Sequence, residues 1–284
     1  MFKRITLIHF FTFLFVTTST YAQNFEAGIF MGASNYMGDL PGEHIEQNKN
    51  SLSMGVFLKY NFTDYLSARV GYMQGRISGD DRFSEKESGR KQRNLHFESK
   101  IREINIMAEC HFLSFAFDRE RPMVSPYVFG GIAGFHFNPK ANINKELVAL
   151  QPLGTEGQGL PGGPDKYGLY QIAIPAGFGT EFQVGSVAKI GVELGIRKTF
   201  TDYLDDISTV YPDIEQLEDL DPIRAALSYR TPEFDPTLAE NNPVGQKRGN
   251  NEAKDWYAFA GLTFTFNISA LSELGGGPGI YNPF

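Results

Sequence analysis

Apolar and polar positions alternate with a period of two in eight separate segments of this chain, the pattern of strands with two unlike faces. In the first, Ala27, Ile29, Met31 and Ala33 alternate with Glu26, Gly28, Phe30, Gly32 and Ser34. The second sets Leu52, Met54, Val56, Leu58 and Tyr60 against Ser53, Gly55, Phe57 and Lys59, and the third sets Leu66, Ala68, Val70 and Tyr72 against Ser67, Arg69, Gly71 and Met73. In the fourth, Ile104, Ile106, Ala108, Cys110 and Phe112 oppose Glu103, Asn105, Met107, Glu109 and His111. The fifth places Tyr127, Phe129, Ala133, Phe135 and Phe137 opposite Gly130, Gly134 and His136. The sixth runs from Tyr170 to Phe182, with Gln171, Gly177, Gly179 and Glu181 on its polar side. The seventh opposes Ile190, Val192, Leu194 and Ile196 to Lys189, Glu193 and Arg197, and the eighth opposes Trp256 to Phe266 against Tyr257, Gly261, Thr263 and Thr265. Each segment is roughly ten residues long, which is what a tilted strand needs to cross a bilayer.

The connections alternate in length. Short ones lie at Asn61 to Asp64 and at Gly185-Ser186, and a medium one follows the fourth segment. Long ones cover about 37–50, 79–100, 139–168 and 198–254. Long connections at one end and short ones at the other predict an all-β, eight-stranded antiparallel transmembrane barrel over residues 23–268, with both termini on the short-turn side. A tail, 269–284, follows.

A soluble barrel would show the same alternation with its apolar face turned inward around a ligand. Three features favour the membrane form. The glycine-bearing face also carries Lys59, Arg69, Glu103, Glu109, Glu181, Lys189, Glu193 and Arg197, and a narrow lumen wants small residues and paired charges. The other face is nearly uncharged, and Tyr60, Phe62, Tyr127 and Trp256 stand near segment ends, where an interfacial girdle would lie. Finally, AGLTFTFN (260–267) resembles the C-terminal signal read by the barrel-assembly machinery.

Composition narrows the setting. Residues 1–22 combine Lys3 and Arg4, an apolar run from Ile5 to Val16 and the triplet Thr20-Tyr21-Ala22, the makeup of a secretory signal peptide. Its removal takes the formal net charge from −7 to about −9, which argues against nucleic acid as a partner. The single cysteine, Cys110, excludes an internal disulfide. The expected location is the outer membrane, with lipid as the surrounding partner.

Candidate chemistry is thin. Asp202, Asp205, Asp206 and Asp213 could supply oxygen ligands to calcium, but their spacing fits no EF-hand, and the plainer reading is aspartates capping turns. The inward-facing charges could hold an acid/base pair, but an ionic plug that fixes strand register is the plainer reading. No nucleophile elbow, phosphate loop or metal-ligand spacing occurs, so no catalytic, metal or cofactor residues are assigned.

Two phrases are more specific than the alternation. GASNYMGDL (32–40) follows the first segment and RKTFTDYLDDISTVY (197–211) follows the seventh. With AGFGTEF (176–182), they resemble the PorG family of Bacteroidetes outer-membrane proteins, associated with the type IX secretion system. That resemblance implies a barrel that supports protein secretion, with periplasmic ring components of the PorK and PorN type as partners and no catalytic residues. Strands one and seven both neighbour strand eight in a closed barrel. Asn35, Tyr36 and Asp39 are therefore expected to meet Thr201, Asp202, Tyr203, Asp205 and Asp206 as a polar cap over the mouth. A docking surface for the ring is expected on the short-turn side, at Asp118, Arg119, Glu120 and Arg121. A structural or adhesive barrel is the alternative, and a barrel enzyme is a weaker one.

Overall fold

The computed structural model describes residues 25–40, 51–84, 90–113, 124–185, 187–238 and 242–268. The expected signal peptide, the turn holding Asp118 to Arg121, and the tail 269–284 lie outside the described residues. Among the described residues ten strands are present: β1 (Phe25–Met37), β2 (Leu52–Asn61), β3 (Leu66–Asp80), β4 (His96–His111), β5 (Val124–His136), β6 (Pro139–Ile143), β7 (Glu146–Ala149), β8 (Tyr170–Val184), β9 (Ala188–Thr199) and β10 (Trp256–Asn267). All pairings are antiparallel. Eight strands close a ring in which β1 pairs with β10 and β3 with β4, and the β6–β7 hairpin is attached to the outer end of β4. Closure leaves no barrel strand with an unpaired edge.

The faces are turned as a membrane barrel requires. Ile104, Ile106 and Ile132 are 64%, 62% and 66% exposed, whereas Glu26 and Glu103 are fully buried. In water this arrangement would cost apolar exposure and charge burial together; in lipid the outward isoleucines are solvated by acyl chains. Among the described residues no helix is long and apolar enough to cross a membrane, which says nothing of strands.

Three expectations need correction. Tyr127 is not in an outer girdle: with Phe129, Ala133 and Phe135 it points inward and is buried, while Val124, Val128 and Ile132 face out. Both faces of β5 are apolar, so hydrophobicity could not choose between them. What decides is that Tyr127 lies flat over Gly179 of β8, where any Cβ would come within 2.5 Å of the ring. Second, β3 and β4 run 15 and 16 residues. A strand of that length spans about 50 Å, so the ladder continues past the bilayer into both ends of the 79–100 connection, with Gly79 paired to Phe97 and Asp80 to His96. Third, the connection at 139–168 contains the β6–β7 hairpin, and that at 198–254 contains three helices, α1 (Ile214–Leu220), α2 (Pro222–Ser228) and α3 (Thr231–Phe234). Asp213 caps α1 by accepting from the amides of Glu215 and Gln216, and Asp221 caps α2 through Ile223, so these aspartates have local tasks.

Candidate functional site: a filled lumen and a closed mouth

The lower half of the lumen is a continuous ionic network. Lys59 Nζ lies 2.6 Å from Glu181, 3.3 Å from Glu109 and 3.5 Å from Glu26. Lys189 ties Glu26 at 2.7 Å to Glu181 at 3.5 Å. The Arg69 guanidinium donates to both oxygens of Glu193, at 2.7 and 3.1 Å, and its Nε lies 3.0 Å from Glu109. Its flat faces lie against Phe57 and Phe129, with ring centroids 5.0 and 5.3 Å away. Higher up, Arg197 sits 3.3 Å from Glu103, which also accepts from the Tyr257 hydroxyl at 2.7 Å. Six of the eight lumenal charges read from the sequence belong to this network, and the other two, Arg197 and Glu103, form a separate pair above it. The sequence reading missed Glu26 and the hydroxyls of Tyr127, which donates to Glu193 at 2.9 Å, and Tyr257. Glu26 was findable, since it stands on the glycine-bearing face of the first segment.

Above the charges an apolar layer completes the filling, with Phe30, Met73, Ile101, Phe135, Tyr257 and Phe259 packed across the barrel. A cavity between Phe30, Arg69, Asn105 and Arg197 measures about 10 Å³, too small for anything but a single water. The barrel is a packed core.

The same apolar cluster continues into the mouth through Tyr36, Leu40, Leu204, Ile207 and Leu227. There the two signature phrases meet. Tyr36, inside β1 and not beyond it, donates its hydroxyl to Asp205 at 2.6 Å and lies 3.3 Å from Asp255. Asp205 also accepts from the Ile207 amide, and Asp255 from the Leu204 amide, both at 2.9 Å. Asp39 accepts from the Asn250 amide at 2.6 Å and Asp202 from the Ser208 hydroxyl at 2.7 Å. The Thr201 carbonyl accepts from the Asp255 amide at 3.1 Å, and its hydroxyl from the Tyr203 amide at 3.2 Å. Asn35 is apart from the cap: it is exposed and accepts only from the neighbouring Tyr36 amide.

The 139–168 connection joins the cap, which the sequence did not reveal. Asp206, held at a φ of 67°, accepts from the Thr155 hydroxyl and, at 2.6 Å, from the Tyr167 hydroxyl. Tyr167 stacks on Tyr203 with centroids 4.5 Å apart. Glu156 receives the Ser208 amide and pairs with Arg248 at 3.0 Å, and Arg248 also donates to the Asp206 carbonyl. Arg93, from the β3–β4 connection, pairs with Asp81 at 2.8 Å and reaches the Arg248 carbonyl. No periodicity marks Thr155, Glu156, Tyr167 or Arg248, because their partners are distant in sequence.

Burial sets the electrostatics of this cap. It raises Asp205 well above the carboxylate range. Asp255 is pushed up to about 10 by burial and by the Asp205 charge beside it, so this pair retains a proton at neutral pH. Burial lifts Asp202 to about 7, and Asp206 to about 6 against the pull of Arg248. Among the described residues no group of three or more His, Cys, Asp or Glu is disposed to hold a metal ion. The aspartates instead accept amide and hydroxyl protons from the loops they join.

The family described as Domain of unknown function (DUF6089) matches residues 4–221 of this chain. Among solved structures, the chain is similar to the N-terminal β-barrel domain of Pseudomonas aeruginosa OprF, with 11% identity, a TM-score of 0.37, and 86% of this chain and 98% of that one covered. It is similar to Neisserial surface protein A, with 9% identity, a TM-score of 0.40 and coverages of 86% and 97%. The attachment invasion locus protein Ail of Yersinia pestis gives 9%, 0.39, 86% and 98%. At these values the likeness stops at barrel architecture. No curated protein matches the sequence.

Proposed function

The chain belongs to the DUF6089 family, and we propose that it acts as a non-enzymatic outer-membrane scaffold that anchors the periplasmic ring of a type IX secretion system. One observation carries the scaffold reading: the barrel is filled from Glu26 to Phe259 and its mouth is closed by four joined connections. A filled eight-stranded cylinder has no path for solutes. What it offers is a fixed position in the membrane and two rims. Secretion as the process, and ring proteins of the PorK and PorN type as partners, rest on the likeness of GASNYMGDL, AGFGTEF and RKTFTDYLDDISTVY to the PorG family.

A pull-down from gently solubilised outer membrane tests this. Recovery of a ring lipoprotein with the barrel is the expected result, together with loss of type IX substrates from the medium when the gene is deleted. Intact secretion after deletion would instead assign the chain to structural or adhesive barrels.

A further inference from the structure

The outer wall of the barrel is not evenly covered. On β5 the outward positions include Gly130 and Gly134, beside Ala108 on β4, so a hollow of about 940 Å³ opens in the lipid-facing surface. It reaches from Ala68 and Tyr72 on β3 to Tyr170 on β8. That volume falls within the roughly 300–1,000 Å³ of small-ligand sites. The lining is apolar along its length and turns polar only at the end nearer the long connections. There Arg102 and His136 are register partners across β4 and β5, and the His136 ring lies 4.7 Å from that of Tyr170.

Arg102 is the unusual member. It projects from the lipid face directly beyond Ile104, and among the described residues no carboxylate lies within ion-pair distance of it. Lys100 stands one outward position further on, and Lys198 continues the basic belt over the Trp256 ring. A cation without a carboxylate partner at the edge of an apolar surface calls for an anion at headgroup depth. A guanidinium favours phosphate, which it can grip with two hydrogen bonds.

We propose that this hollow is a binding site for a phosphate-bearing acyl lipid of the outer leaflet, with acyl chain laid over Gly130 and Gly134 and the phosphate held by Arg102 and His136. The site rests on the membrane reading of the barrel. A second copy of the chain is the poorer occupant, because a two-fold contact through this wall would set the same basic group against itself.

The hollow can be filled without disturbing the fold, since a Cβ built on Gly134 meets nothing within 4 Å. The test is native mass spectrometry of the mature barrel in detergent, offered bisphosphorylated lipid A and its dephosphorylated form at equal concentration. Heat-shifted gel migration serves as the separate check that a barrel has formed. The wild-type chain retains one bisphosphorylated lipid, favoured by at least about tenfold. Gly134→Leu removes the adduct, and Arg102→Gln abolishes the preference between the two forms. A heat-shifted barrel that binds both forms alike, or whose variants bind as the wild type does, overturns the lipid site and leaves the membrane reading intact. A two-copy species lost in Gly134→Leu would overturn it too, assigning the wall to self-association. A chain without heat-shifted migration would remove the barrel on which the site depends.

Discussion

Tyr36 shows how much one hydroxyl can organise. It stands between Asp205 and Asp255, and those two carboxyls in turn hold the amides of Ile207 and Leu204. Tyr36→Phe leaves the ring packing against Phe97 and removes only that proton donor. The expected cost is about 1–3 kcal/mol, read as faster protease cleavage within 199–255 while heat-shifted migration of the barrel is unchanged. Cleavage at the wild-type rate would show that the apolar contacts alone hold the cap. The same carboxyls give the cap a pH dependence of unusual sign. Unfolded, Asp255 releases its proton near 4; folded, its value is pushed up to about 10. Between these values the folded cap holds more protons than the unfolded loop, so its stability falls as pH rises. Asp202, lifted to about 7, adds to the fall between about pH 4 and 7. Protease sensitivity of the 199–255 connection should therefore rise from pH 6 to pH 9, and Asp255→Asn should flatten that rise. A flat wild-type profile would mean that the Asp205–Asp255 pair is ionised throughout.

At the scale of elements, alternation made all eight barrel strands legible, because each has one face in lipid and one in a narrow core. It failed at β5, whose two faces are both apolar and whose orientation is set by a neighbour's glycine. It could not give the length of β3 beyond the bilayer, since its outer end, Ile77 to Asp80, is buried throughout and no longer two-faced. The lumenal charges were legible as a set but not as pairs: Lys59 and Glu181 are 122 residues apart. Their pairing gives the strands a fixed register, because a slip of one residue would turn each charge into lipid. Lys59→Met leaves Glu26, Glu109 and Glu181 short of a cation in a dry core. It should destabilise the barrel by about 3–5 kcal/mol, measured as a lower urea midpoint in detergent. An unchanged midpoint would show the network to be dispensable. The cap was legible only where the two signature phrases flank β10; its other contributors, 155–167 and Arg93, were not.

The whole molecule is a cylinder with a charged floor, an aromatic ceiling and a hydrogen-bonded lid. Reconstituted into planar bilayers it should give no conductance steps, and channels of steady size would contradict the packed lumen. Everything proposed for it, from ring anchoring to lipid binding, depends on which way the strands are turned. The direct test is a spin label at residue 106, introduced as Ile106→Cys with Cys110→Ala, in barrels reconstituted into lipid vesicles. A lipid-facing position predicts frequent collisions with dissolved oxygen and few with a water-soluble nickel chelate. A label shielded from both, on a chain that stays soluble without detergent, would put residue 106 inside a soluble barrel and contradict the account.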